Sequence, residues 1–238
     1  MEMGIAAACQ KCAVRQRAVC AVLSDSTLAR LVRRRHIPVG NLILDGEDEP
    51  GGIGVILSGV VKLLKTAADG RRQIVALQFP GQFIRRPGAK TAPFLAEAAS
   101  EVVLCCFPST SFEALMREHR GLERAIMHQT QDELDLAREW LFVLGRKTAQ
   151  EKVASLLLHV AHQLSLAGRC GVGTPGSADF DLPLSRAEMA EYLGLTIETV
   201  SRQISILKAH GVFDIRGARH VSIPDLAVLK TWSECDQT

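Results

Sequence analysis

The stretch SRAEMAEYLGLTIETVSRQISILKAHG, residues 185–211, decides the architecture. Ser185 followed by Glu188 is a capping-box pattern: the serine oxygen accepts a helix-start N–H while the glutamate reaches back to the cap. A short helix should follow through Ala190 and Leu193. Gly194 permits a tight turn, Thr196 can cap a second helix running to about His210, and Gly211 ends it. Helix, glycine turn, helix is the plan of a helix-turn-helix. On the second helix Ile197, Val200, Ile204 and Leu207 form one stripe, and Glu198, Ser201, Arg202 and Ser205 form another, taking about 3.6 residues per turn. The first stripe should pack, leaving the second free to read. Glutamate can accept from cytosine N4, arginine can donate twice to guanine O6 and N7, and a serine hydroxyl is a versatile neighbour, all suited to the major groove. The plain alternative is a solvated face carrying an i,i+4 Glu198–Arg202 ion pair.

Working outward, residues 182–238 read as a compact winged helix. Residues 212–215 and 220–223, joined by Arg216-Gly217-Ala218-Arg219, form a hairpin wing with a basic tip. Arg186, Lys208, Arg216 and Arg219 are the candidate phosphate contacts. Upstream lies a glycine-rich loop, residues 168–177, and before it a helix capped by Thr148 and extending to about Ala167. Gly145 with Arg146-Lys147 should break a still earlier helix over about 118–145. There Met127, Thr130, Leu134, Ala137, Leu141 and Leu144 recur at alternating three- and four-residue steps, a heptad seam. Such a stripe serves either a homodimer or packing on the helix's own domain. Asp132, Glu133 and Asp135 lie off it. From about 21 to 117 the pattern is β-like, with strands expected over 53–57, 60–64, 73–79 and 101–107 and a hairpin turn at Ala68-Asp69-Gly70. Strands at this spacing suggest a barrel or roll.

The whole chain bounds these readings. Its 238 residues, 47% of them hydrophobic, suffice for one or two folded domains. A formal charge of +2, from 28 basic and 26 acidic residues, gives no field that identifies nucleic acid as a partner. The DNA argument is therefore local. MEMGIAAA is too short and wrongly flanked for a secretory signal, and no apolar run approaches the roughly 18 residues of a membrane span, so a cytoplasmic protein with no membrane partner is expected. No Walker loop, zincin pair, nucleophile elbow or dinucleotide fingerprint is present, which argues against an enzyme.

At Leu195-Thr196-Ile197-Glu198-Thr199-Val200-Ser201-Arg202 the sequence resembles the CRP/FNR family of bacterial regulators. Residues 53–83, with Ser58-Gly59, Asp69-Gly70 and Pro80-Gly81, look like that family's cyclic-nucleotide-binding-type β-roll, and the heptad helix occupies the place of its dimerisation helix. The resemblance implies an α+β fold: a cysteine-rich arm (1–20), a β-roll sensory domain (21–117), a long dimerisation helix (118–147) and a winged-helix DNA-binding domain (148–238). Glu-x-x-Ser-Arg is typical of the FNR and FixK branch, which reads TTGAT half-sites arranged as a palindrome. A homodimer on a symmetric operator follows, with RNA polymerase as a further partner. The chain departs from the cyclic-AMP sensors at residues 82–100, which lack the Gly-Glu-Leu segment and its Arg-Ser or Arg-Thr pair. No cyclic nucleotide is expected, and Arg85-Arg86 reads as a solvated basic turn.

The chain has seven cysteines. In a reducing compartment, clustered thiols point to metal or redox chemistry. Cys9, Cys12 and Cys20 give C-x2-C-x7-C, a spacing whose thiolates can converge on one soft metal centre but which needs a fourth ligand. The FNR resemblance supplies one: its central cysteine ends a β-roll strand three residues before a proline, which here is Cys105 before Pro108. The longer x7 spacing looks like the FnrN and FnrL subgroup. The resemblance thus implies an oxygen-labile [4Fe–4S] cluster on Cys9, Cys12, Cys20 and Cys105, whose assembly under low oxygen favours the dimer and so controls anaerobic or microaerobic genes. Zinc suits the same four ligands, and a FixK-like regulator controlled by thiol oxidation or a small ligand is the other reading. Cys106 should point to the opposite face of its strand. Cys170 and Cys235 read as incidental thiols, and His159 and His162 as flanks of a packed face.

Overall fold

The computed structural model describes residue 9 and residues 11–44, 53–84, 94–168, 176–217 and 219–234. Arg85, Arg86, Cys170, Ala218 and Cys235 lie outside the described residues. The chain divides into two compact units, Met1–Lys65 with Val75–Asp135, and Thr66–Ile74 with Leu136–Thr238.

The first unit is built on β1 (Arg33–Ile37), β2 (Leu42–Leu44), β3 (Ile53–Ser58), β4 (Val61–Thr66), β5 (Arg72–Gln78), β6 (Phe83–Ile84), β7 (Leu95–Ala98) and β8 (Val102–Phe107). They form two four-stranded sheets, ordered β1-β8-β3-β6 and β2-β7-β4-β5. Ile56, Ile84, Val102 and Leu104 from the first sheet meet Val61, Leu63, Ala96 and Ala98 from the second in one core. The period of two turns alternate residues of the first sheet the other way. Val55, Phe83, Cys105 and Phe107 pack there against Leu28 of helix α1 (Asp25–Leu31), Phe112 and Leu115 of α2 (Ser109–Glu118) and Leu122 of α3 (Arg120–Arg146). The Ser58-Gly59 turn requires glycine: its φ is +84°, and a Cβ would run into the carbonyl oxygen of Glu101.

The strands read from the sequence are present, with ends shifted by up to two residues. Other boundaries differ. Helical structure resumes at Ser109, eleven residues ahead of the long helix, and α3 runs through Gly145 to Arg146. Gly145 does not end it, because one glycine in an exposed last turn costs only about 1 kcal/mol relative to alanine. The arm is not a passive tail. Short 3-10 turns, Arg15–Arg17 and Val19–Val22, bury Val14, Ala18 and Val19, and the Arg15 guanidinium bonds the carbonyls of Cys9 at 3.4 Å and Leu23 at 2.8 Å.

The second unit contains α4 (Ala149–Leu166), β9 (Ala178–Asp181), α5 (Arg186–Leu193), α6 (Ile197–Ala209), β10 (Asp214–Arg216), β11 (His220–Ile223) and α7 (Leu226–Ser233). The Thr148 capping box starts α4, whose buried face includes Val153, Leu156, Leu157 and Val160. His159 sits edge-on to Trp140, ring centroids 5.6 Å apart, and burial pushes its pKa down to about 4. No helix among the described residues is long and apolar enough to cross a membrane.

Candidate nucleic-acid interface and thiol centre

The local chemistry of residues 185–211 produces the expected motif. Ser185 N donates to Glu188 Oε2 at 2.7 Å and Glu188 N returns to Ser185 Oγ at 3.3 Å. Gly194 closes α5 in the left-handed region, φ +63°. Thr196 Oγ1 accepts from Thr199 N at 3.2 Å and starts α6. Val200, Gln203, Ile204 and Leu207 are buried on one side of that helix. Glu198, Ser201, Arg202 and Ser205 are exposed on the other. Among the described residues no ion pair joins Glu198 to Arg202; the Glu198 carboxyl is held instead by its own backbone N–H and the Thr196 hydroxyl, which lower its pKa. Ile197 departs from the packing stripe. It is 48% exposed, because the first residue of α6 lies beyond the packed face, and it stands beside the candidate reading residues as an apolar group the sequence stripe had hidden.

The wing has three strands, ordered β10-β11-β9. Sequence reasoning missed β9, a four-residue strand whose alternation is too short to stand out. It supplies the wing's buttress: His220 of β11 is bonded to Asp181 at 2.9 Å and to Asp179, and these carboxylates hold its pKa up. Arg216, Gly217 and Arg219 are exposed at the turn. Lys208 lies at the far end of α6, where it pairs with Asp214 at 2.9 Å. Arg186 is half-buried, and its Nη1 is buried without a hydrogen-bond partner.

In the first unit, Cys20 and Cys105 are buried in the same apolar cluster, with Cys9 packed against it. Cys9 and Cys12 lie in consecutive turns of the arm, Cys12 N donating to Cys9 O at 3.2 Å and Arg15 N to Cys12 O at 3.1 Å. All four thiols are unbridged. Burial raises the Cys20 pKa to about 11, with Cys12 and Cys9 adding to the rise. Cys105 is raised further by burial, then by the charges of Cys20, Cys9 and Cys12. The thiols therefore form one electrostatic neighbourhood, and ionising all four would require a cationic centre to offset their mutual repulsion. Among the described residues, no three potential ligands are drawn together tightly enough to hold a metal ion. Cys106 faces the other way, toward the core between the sheets, as alternation requires.

On α3, the stripe facing away from the chain's own core carries Met127, Leu134 and Leu141, 56%, 50% and 72% exposed. Thr130 and Ala137 are also exposed and Leu144 is half-buried. Phe142, 55% exposed, stands beside them and was absent from the heptad reading. Leu122, Trp140 and Val143 occupy the buried stripe.

Two family profiles match the chain, a cyclic nucleotide-binding domain over residues 34–119 and a Crp-like helix-turn-helix domain over residues 151–232. The chain is 42% identical over 225 residues to the transcriptional activator protein FnrL of Cereibacter sphaeroides, covering 93% of this chain and 90% of that protein. It is 44% identical over 232 residues to a probable transcriptional activator of Rhizobium leguminosarum bv. viciae, covering 96% and 94%. The solved structure of FixK2 from Bradyrhizobium japonicum superimposes with a TM-score of 0.74 at 29% identity, covering 85% of this chain and 97% of that one.

Proposed function

Because the chain belongs to the CRP/FNR family of DNA-binding transcription regulators, we propose that it is an oxygen-responsive member of the FNR branch, active as a homodimer on TTGAT-type palindromes. Its relatives are regulators, and the chain is a regulator rather than an enzyme. In this reading residues 1–20 are the sensing arm, 21–117 the sensory roll, 118–147 the dimerisation helix and 148–238 the DNA-reading domain. The protein acts in the cytoplasm and activates through RNA polymerase. Glu198, Ser201 and Arg202 read base edges, Ile197 adds an apolar contact suited to a thymine methyl, and Arg186, Lys208, Arg216 and Arg219 serve phosphates.

One observation carries the sensing half: Cys105 shares a buried cluster with Cys20 and the packed Cys9, while its neighbour Cys106 belongs to the opposite face. Cys9, Cys12, Cys20 and Cys105 would hold a [4Fe–4S] cluster, and four thiolates suit that group. When bound, it supplies an oxygen-labile tie between arm and sheet. The chain's own residues do the rest. Val14, Ala18 and Val19 seat the arm, α3 carries the seam, and two half-site contacts add in free energy only while the dimer persists.

Protein purified without oxygen should show a broad absorption near about 400 nm that bleaches in air, with iron and sulfide near stoichiometry. Cys105→Ser should abolish the absorption, and Cys106→Ser should keep it. Colourless protein after competent reconstitution would remove the cluster and leave zinc, thiol oxidation or a ligand in the roll; loss on Cys106→Ser alone would overturn the ligand assignment.

A further inference from the structure

A cavity of about 260 Å³ opens in the seam between the arm and the outer face of the first sheet. Lys11 and Cys12 border it from the arm, Arg34 and His36 from β1, and Ser58 from β3. Their convergence follows from register. Arg34 and His36 are two residues apart and so share a face, opposite Cys105 and Val103 respectively, and Ser58 also pairs with Val103. Leu57 and Val103 add apolar lining.

The charged groups are of one sign. Ammonium, guanidinium, imidazole and hydroxyl all donate hydrogen bonds, and no carboxylate lines the cavity. Basic residues on an edge strand are commonly explained as charges that block pairing with another chain. That explanation covers Arg33 and Arg35 as well as Arg34 and His36, since all four are exposed on β1. It does not cover Lys11, which reaches the same cavity from a different segment.

We propose that this cavity binds a phosphate group, either free or on a molecule of fragment size. The volume lies below the roughly 300–1,000 Å³ of sites for drug-sized ligands. Arg34 and Lys11 supply the charge and Ser58 a hydroxyl donor, while Leu57 and Val103 accept a short apolar tail. A bound anion joins the arm to β1 beside Cys12, so by linkage whatever steadies the arm raises the anion's affinity by the same factor. No metal at the cysteines is required.

The test is titration calorimetry of the full chain with inorganic phosphate and with propyl phosphate, at ionic strength held constant with chloride. Saturable binding is expected, weakened about tenfold or more by Arg34→Gln or Lys11→Gln, as loss of a charge-assisted hydrogen bond predicts. Arg33→Gln, on the same strand but outside the cavity, and Arg202→Ala, on the DNA-reading helix, should leave it within about twofold. Tighter binding of propyl phosphate would identify an organic monoester as the ligand class, and equal binding would identify free phosphate. Absence of saturable binding by either probe, or equal losses in Arg33→Gln and Arg34→Gln, would overturn the site.

Discussion

Glu133 shows what a single carboxyl can cost. It lies half-buried on α3, its Oε1 has no hydrogen-bond partner, and burial, with Asp132 adding, pushes its pKa up to about 7. The folded chain therefore holds a proton that the unfolded chain releases near 4.5, so this residue's contribution turns unfavourable as pH rises from about 4.5 to about 7. Glu133→Gln should raise stability at pH 8 by roughly 1–3 kcal/mol and change little at pH 4. Urea unfolding at both values checks it, and a gain equal at both would sink the assignment. The residues proposed to contact DNA separate by kind. Arg202→Ala and Glu198→Ala should each lose roughly 1–3 kcal/mol on the cognate half-site and relax discrimination at one base pair. Arg216→Ala should weaken binding to every sequence alike and lower the salt slope by about one. Gel-shift titrations over several salt concentrations distinguish the two patterns. Exposed positions were partly legible in residue types: Glu198, Ser201 and Arg202 are exposed as their polarity suggested. Ile197 was not, because a hydrophobic period cannot tell the last packed position from the first unpacked one.

Among the elements, α5 and α6 announced themselves because each boundary is fixed by local chemistry: Ser185, Gly194 and Thr196 act within a few residues of their own position. Thr196→Ala should cost about 1 kcal/mol, since it orphans the Thr199 amide; thermal melts would show it as a loss that Thr196→Ser restores. β1 was invisible for the opposite reason. RRRHI buries only Ile37, so its strand character comes from the pairing offered by β8 and not from its own alternation. β2 and β6, three and two residues long, carry too few positions to show a period at all. The arm likewise has no repeating pattern, yet Val14, Ala18 and Val19 find a ready surface. On α3 the heptad spacing identified a stripe but left two uses open. The exposure of Met127, Leu134 and Leu141 favours the intermolecular one. Leu141→Asp and Ala137→Asp should both shift the protein toward monomer in analytical ultracentrifugation and weaken operator binding in parallel. Unchanged sedimentation would move the dimer contact elsewhere.

At the scale of the molecule, a formal charge of +2 leaves DNA affinity to the placement of charge rather than its sum. Fold class was readable because strand-rich and helix-rich stretches are separated along the chain, but neither compact unit is continuous in sequence. Thr66–Ile74, the end of the hairpin between β4 and β5, groups with Leu136–Thr238, and Gln73 Nε2 donates to the carbonyl of Tyr192 at 3.1 Å. Genetic dissection therefore has no clean scissor point. A gene fragment encoding residues 136–238 would express the second unit without a piece that belongs to it, and one encoding residues 1–135 would carry that piece away. The shorter product should exchange its amides around Tyr192 faster than the same residues do in the intact chain, and equal rates would mean the hairpin contributes nothing there. For anyone shuffling sensory and reading halves between relatives, the hairpin's nine residues are cargo that travels with the wrong parcel.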